Sequence, residues 1–241
     1  RQSIRPAHFE GVEIRTFGRE RATSRLLDRL SLGAVAEVLT YENFEVPARY
    51  DAVVTVGEPA KAVIHQPHQH RVHLLNMPPR WLFDLGPDRF DGDGITGFVR
   101  RLFQSVFRAY DASTVRRIDE FVVPSEVIGR RLSTYYDREP AAVVYPPVET
   151  DAYYHDDGGG FLLYLGRLAD AKRVGEIVDA LSGTGHSLRI AGTGPLGDEL
   201  RRRAGSNVEF LGYVTESRKR ELLATCDAVV FNSDREAFGI V

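Results

Sequence analysis

The chain has 241 residues, 43% of them apolar, a formal net charge of −3 and one cysteine, Cys226. That is enough chain for two domains of about 100–150 residues, each with its own core. The near-neutral balance excludes a bulk electrostatic pull toward nucleic acid. The lone cysteine excludes an intrachain disulfide and points to a reducing compartment.

The opening RQSIRPAHFE carries neither an initiator Met nor a signal-peptide pattern, and EAFGIV stops where a helix reads as starting, so both ends read as cut. No apolar run approaches the roughly 18 residues of a membrane span. In the first part GVEIRTF, YDAVVTVG, HRVHLLN, DEFVVPS and AAVVYP read as strands, several of them apolar throughout, as strands buried on both faces are. His68 and His70 have metal-ligand spacing. With no cysteine and no acid near them in sequence, and with Pro67 beside them, they read first as a solvated loop.

Residues 95–118 form a helical pattern. Phe98, Val99, Leu102, Phe103, Val106, Phe107 and Tyr110 make an apolar stripe, with Arg100, Arg101, Gln104 and Arg108 opposite. Two readings stay open: a core-facing helix with a solvated basic face, or a face that lies on anionic lipid. A further helix is expected over 125–136. At 146–160, PPVETDAYYHDDGGG cannot continue a strand or helix, which sets a first domain at 1–147, a linker at 148–160 and a second domain at 161–241.

In the second part FLLYLG, HSLRIAG, NVEFLG and DAVVFNS read as strands, with helices over 172–182, 196–204 and 215–225. Strand and helix alternating this way means parallel sheets with crossover helices. Two such sheets would face a cleft, with ligands at the carboxyl ends of the strands. Cys226, in ATCDAVVF, reads as a small buried apolar residue rather than a nucleophile.

The chemistry sits after those strands. Arg167 follows FLLYLG, and Lys172 and Arg173 stand where the next helix is expected to open. Such cations suit a diphosphate, although taken alone they read as surface charge. Gly192, Gly194 and Gly197 spell the dinucleotide fingerprint. However, they follow the second strand of their unit, and no acid ends the next strand, which weighs against a nicotinamide site. After DAVVF, Glu236 and the amides of Phe238 to Val241 would meet one ligand. The plainer reading of Glu236 is a partner for the helix dipole.

Together these elements resemble family 4 of the GT-B glycosyltransferases. The resemblance is carried by VVYPPVETDAY, FLLYLGRLADAKR, LRIAGTGPLGDEL and NVEFLGYVTESRKRELLATCDAVVFNSDREAFGIV. HLLNMPPRWLFD resembles the mannosyltransferase-like branch at Pro78, Arg80, Trp81 and Asp84, with Asn76 where the branch has His. RRIDEFVVPSEVIGRRLSTYY resembles it with Pro124 and Ser125 in place of Asn-Ser.

The resemblance implies an α/β chain of two Rossmann-like domains facing a cleft. It implies a retaining transfer of a hexosyl group, mannosyl or similar, from a GDP- or UDP-linked donor, with no cofactor and no metal. Arg167, Lys172 and Glu236 would be catalytic. Gly166, Gly192, Gly194, Gly212, Tyr213, Val214, Phe238, Gly239 and Ile240 would hold the donor, and Asn76, Arg80 and Ser125 would lie on the acceptor side. The acceptor would be a glycan or lipid-linked saccharide of polysaccharide biosynthesis. The protein would be cytoplasmic, with peripheral contact at the inner membrane face left open. The family's second Glu would fall beyond Val241. The rival readings are a nucleotide-sugar epimerase or NAD-dependent enzyme of similar fold, and a non-catalytic nucleotide-sugar binder.

Overall fold

The computed structural model describes residues 41–42, 44–84, 94–233 and 236–239. The expected strand GVEIRTF lies outside them. The chain divides into two compact units, 1–143 and 144–241. That division falls just before the Pro146-Pro147 pair.

The first unit holds β1 (Ala52–Val56), β2 (His70–Leu74), α1 (Gly94–Val115), β3 (Glu120–Val123), α2 (Glu126–Tyr136) and β4 (Ala142–Val143). The four strands are parallel in the order β1-β2-β3-β4. Phe121 and Val123 of β3, Leu75, and Ile128 and Leu132 of α2 are each at most 1% exposed. Ser125 caps α2, its hydroxyl accepting from the Ile128 amide at 3.3 Å, and Asp137 ends the helix in the left-handed region at φ 54.

The second unit holds β5 (Phe161–Leu165), α3 (Val174–Leu181), β6 (Ser187–Ala191), α4 (Gly197–Arg203), β7 (Val208–Gly212), α5 (Glu216–Thr225) and β8 (Ala228–Val229). Its sheet is also parallel, in the order β7-β6-β5-β8. The unbroken apolar run of β5 has a direct cause, because both faces of the strand are covered. Tyr164 packs with Val174 and Val178 of α3 and Leu200 of α4, while Phe161, Leu163 and Leu165 pack with Leu222 of α5. Cys226 is half-buried beside that second cluster, and burial pushes its thiol up, away from nucleophilic use.

Two expectations need correction. The helix expected from residue 172 starts at Val174. Asp170–Lys172 form a single 3-10 turn, and Arg173, left-handed at φ 50, separates that turn from α3. The core-facing reading of α1 holds only in part: Phe107 and Tyr110 are half-buried, the Phe107 ring 5.9 Å from that of Trp81, while the other five residues of the stripe point outward. Phe98 is 62% exposed, Val99 55%, Leu102 54%, Phe103 38% and Val106 58%. Polar side chains also anchor the helix. Gln104 donates to the Leu82 carbonyl at 3.1 Å, Arg108 Nε to the same carbonyl at 3.0 Å, and Asp111 meets Lys61 at 2.6 Å. Periodicity finds a stripe but does not say which way it faces.

Candidate functional site

In a parallel sheet all carboxyl ends lie along one edge, and in the second unit the loops there are knitted together. The Gly166 amide donates to the Ala191 carbonyl at 3.0 Å, Leu168 to Thr193 at 3.0 Å, and Gly192 to Gly212 at 2.7 Å. The turns after β5, β6 and β7 therefore form one continuous rim. The glycines on it have a packing reason. Gly192 has φ 145, and a Cβ there would stand 1.8 Å from the Gly166 carbonyl oxygen; at Gly194 a Cβ would stand 2.2 Å from that of Leu168. Gly192 and Gly194 of the literal fingerprint thus reflect two loops crossing at backbone contact, while a Cβ at Gly197 would meet only side chains.

Arg167 is exposed on this rim, its carbonyl held by the Tyr164 hydroxyl at 3.2 Å. The loop after β8 folds back to the same place, with the Ser233 hydroxyl donating to the Ala171 carbonyl at 3.2 Å. Lys172 Nζ then forms an ion pair with Glu236 Oε1. Sequence reasoning chose both residues but did not foresee that they meet. Tyr213, just past β7, is 84% exposed, while Val214 packs inward against the Phe161 cluster. Phe238 is 41% exposed, with the Tyr145 ring 5.6 Å away, and Gly239 has φ 87. Residues 236–239 form a bend rather than helix, and Ile240 lies outside the described residues.

In the first unit Asn76 and Arg80 follow β2, and Ser125 follows β3, at the carboxyl edge of that sheet. Asn76 is exposed. Arg80 is tied to Asp84 at 2.6 Å, which holds the guanidinium above its ordinary range. Ser125 is 8% exposed and serves as the α2 cap described above.

The sequence reading missed a buried charge cluster. Lys61, 3% exposed, donates to Asp111 at 2.6 Å and to Glu58 at 2.8 Å, and Tyr136 donates to Asp111 at 2.5 Å. Burial opposes the ammonium, yet the two carboxylates outweigh it and hold Lys61 above its usual value. Burial also pushes His73 down to about 3, with Lys61 adding to the effect, so His73 is neutral across the physiological range. The only signal in the sequence is a lysine set among small apolar residues in EPAKAVI.

His68 Nε2 lies 3.0 Å from the Ala48 carbonyl, and β2–β3 pairing places Glu120 at 3.2 Å from His70, an acid that sequence spacing hides. Among the described residues no group of three or more His, Cys, Asp or Glu stands together as a metal shell.

Residues 149–241 match the family model described as glycosyl transferases group 1. A D-rhamnosyltransferase, WbpZ of Pseudomonas aeruginosa, is 40% identical over 89 residues, which cover 34% of this chain and 23% of that protein. The matched stretch thus spans less than a quarter of the relative's length. Among solved structures, HepE of Anabaena in complex with UDP superposes with a TM-score of 0.57 at 16% identity, over 88% of this chain and 60% of that one. The lipopolysaccharide outer core galactosyltransferase WaaB gives 0.55 at 16% identity, over 87% and 58%. TarM gives 0.55 at 14%, over 78% and 37%. These likenesses show the fold. The chain has the α/β, parallel-sheet fold of GT-B glycosyltransferases.

Proposed function

We propose that this chain belongs to a retaining glycosyltransferase whose donor site is the rim of the second unit. The observation that supports this most is the meeting of Lys172 and Glu236 beside the knitted turns after β5, β6 and β7. In this reading Arg167 and Lys172 bind the donor diphosphate and stabilise its charge as the glycosidic bond breaks, the task a divalent ion performs elsewhere. The turns at Gly166, Gly192 and Gly194 let the backbone approach the phosphates. Gly212 and Tyr213 lie against the nucleobase, with Val214 packed inward behind them. Phe238, Gly239 and Ile240 contribute amides, and Glu236 orients the sugar. In this reading the departing phosphate itself accepts the proton of the attacking hydroxyl on the same face.

The first unit takes the acceptor, a glycan or lipid-linked saccharide, near Asn76 and Arg80, Ser125 being held as the α2 cap. The resemblance of Pro78, Arg80, Trp81 and Asp84 to the mannosyltransferase-like branch is the reason for reading the donor sugar as mannosyl or similar. The D-rhamnosyltransferase relative agrees in kind, since D-rhamnose is a 6-deoxy sugar of manno configuration. The UDP complex of a structural neighbour supports a nucleoside diphosphate leaving group. A single cysteine supports a cytoplasmic place of work.

The test is release of nucleoside diphosphate from GDP- and UDP-hexoses in the presence of EDTA. The expected result is turnover unchanged by chelation, because the paired cations already balance the diphosphate. Loss of turnover with EDTA and recovery with Mn²⁺ or Mg²⁺ contradicts the mechanism.

A further inference from the structure

Two turns of the second unit carry Lys172 and Glu236, the one between β5 and α3 and the one after β8. Three contacts join them. The Ser233 hydroxyl donates to the Ala171 carbonyl at 3.2 Å, Lys172 pairs with Glu236, and the Asn232 side-chain amide donates to Glu176 Oε2 at 2.7 Å. The other oxygen of Glu176, Oε1, accepts from Arg173 Nε at 2.7 Å. An acid in the first turn of a helix ordinarily serves the helix dipole. Glu176 stands in the first turn of α3, yet both of its oxygens are taken by side chains, and these come from the two different turns. One carboxylate therefore holds both.

The residue it grips is strained. Arg173 is left-handed at φ 50, a conformation that is unfavourable for a non-glycine residue and persists where the surroundings hold it. It directly follows Lys172, so the kink at Arg173 sets how the turn bearing the ammonium leaves α3. The hydrogen bond from Arg173 holds the Glu176 carboxyl below its ordinary range, which keeps the bridge ionised at neutral pH.

A bound donor changes what joins the turns. The Lys172 ammonium goes to the diphosphate and the Glu236 carboxylate to the sugar, so their mutual contact no longer ties one turn to the other. The contacts that remain are the neutral one from Ser233 and the charge-assisted one between Asn232 and Glu176, which is the stronger kind.

We propose that Glu176 is a positioning residue for the donor site, bridging Arg173 and Asn232 so that Lys172 and Glu236 keep their spacing when the donor comes between them. This rests on the donor reading of the rim.

The experiment is calorimetric titration of UDP and GDP into variants of the full chain. Asn232→Asp sets two carboxylates against each other and should weaken nucleotide binding about tenfold. Glu176→Gln should stay close to wild type. Its amide oxygen still accepts from Arg173, and its amide nitrogen donates to the Asn232 side-chain oxygen once that amide turns over. Glu176→Gln combined with Asn232→Asp again sets a donor against an acceptor, and should recover the affinity that Asn232→Asp alone loses. Thermal melts should coincide throughout, because the Glu176 side chain is 53% exposed and surface pairs add little stability. Lys172→Ala separates the two claims. If it weakens binding while Asn232→Asp does not, or if Glu176→Gln fails to rescue Asn232→Asp, the bridge is overturned and the donor site stands. Unchanged affinity in Lys172→Ala overturns the donor reading and the bridge with it.

Discussion

Gly192→Ala is expected to destabilise the second unit by about 2–6 kcal/mol, a large share of the roughly 5–15 kcal/mol that holds a domain together. Two costs add. The backbone at φ 145 is one that an L side chain rarely adopts, a strain of about 1–3 kcal/mol. The new Cβ would also stand 1.8 Å from the Gly166 carbonyl oxygen, and backbone cannot rotate aside as a side chain can, so overpacking adds about 1–3 kcal/mol. The control is Gly185→Ala, where a Cβ meets nothing within 4 Å and φ is ordinary. Urea unfolding checks it: the midpoint should fall sharply for Gly192→Ala with little change in slope, and barely move for Gly185→Ala. Equal midpoints for Gly192→Ala and wild type would mean that the two loops do not touch as described. The Gly166 amide and the Gly192 turn would then not form a single rim.

Glu236→Gln is expected to separate the two tasks at that rim. Glu236 neutralises Lys172 through their ion pair. Removing the carboxylate charge frees the ammonium for phosphate, so affinity for a nucleoside diphosphate should hold or rise. The sugar loses its charged hydrogen-bond partner at the same time. A hydrogen bond to a charged group is worth about 1.5–3 kcal/mol, or roughly ten- to a hundredfold, and that loss should appear in sugar transfer or donor hydrolysis. Calorimetry with UDP and GDP beside turnover on the matching sugar donors reads both effects. A parallel fall in nucleotide affinity and turnover would mean that Glu236 serves the phosphates, or the fold, rather than the sugar.

The second unit was legible because its strands announce themselves. FLLYL is apolar on both faces, SLRIA alternates buried Leu188 and Ile190 with Ser187 and Arg189, and the turns after them carry the glycines and cations that the rim needs. Missed there was the conformation of Arg173. A left-handed residue between Lys172 and Val174 breaks what a 3.6-residue period reads as one helix, and no local rule puts a non-glycine residue at φ 50. The first unit was less legible. Its strand positions could be read, yet the orientation of α1 depends on bonds from Gln104 and Arg108 to a carbonyl at Leu82, and on Lys61 reaching Asp111, fifty residues away. Such long-range polar pairs leave no periodic trace. Ser125 shows the opposite limit. The family resemblance put it on the acceptor side, and the structure gives it a capping bond to Ile128.

The central claim is that the carboxyl rim of the second unit binds a diphosphate through Arg167 and Lys172. Calorimetric titration of UDP and GDP into the wild-type chain, Arg167→Ala and Lys172→Ala tests it directly. The account predicts saturable binding by the wild type and a loss of about 1.5–3 kcal/mol, or roughly ten- to a hundredfold in Kd, in each variant with unfolding unchanged. The same affinity in all three proteins would contradict it.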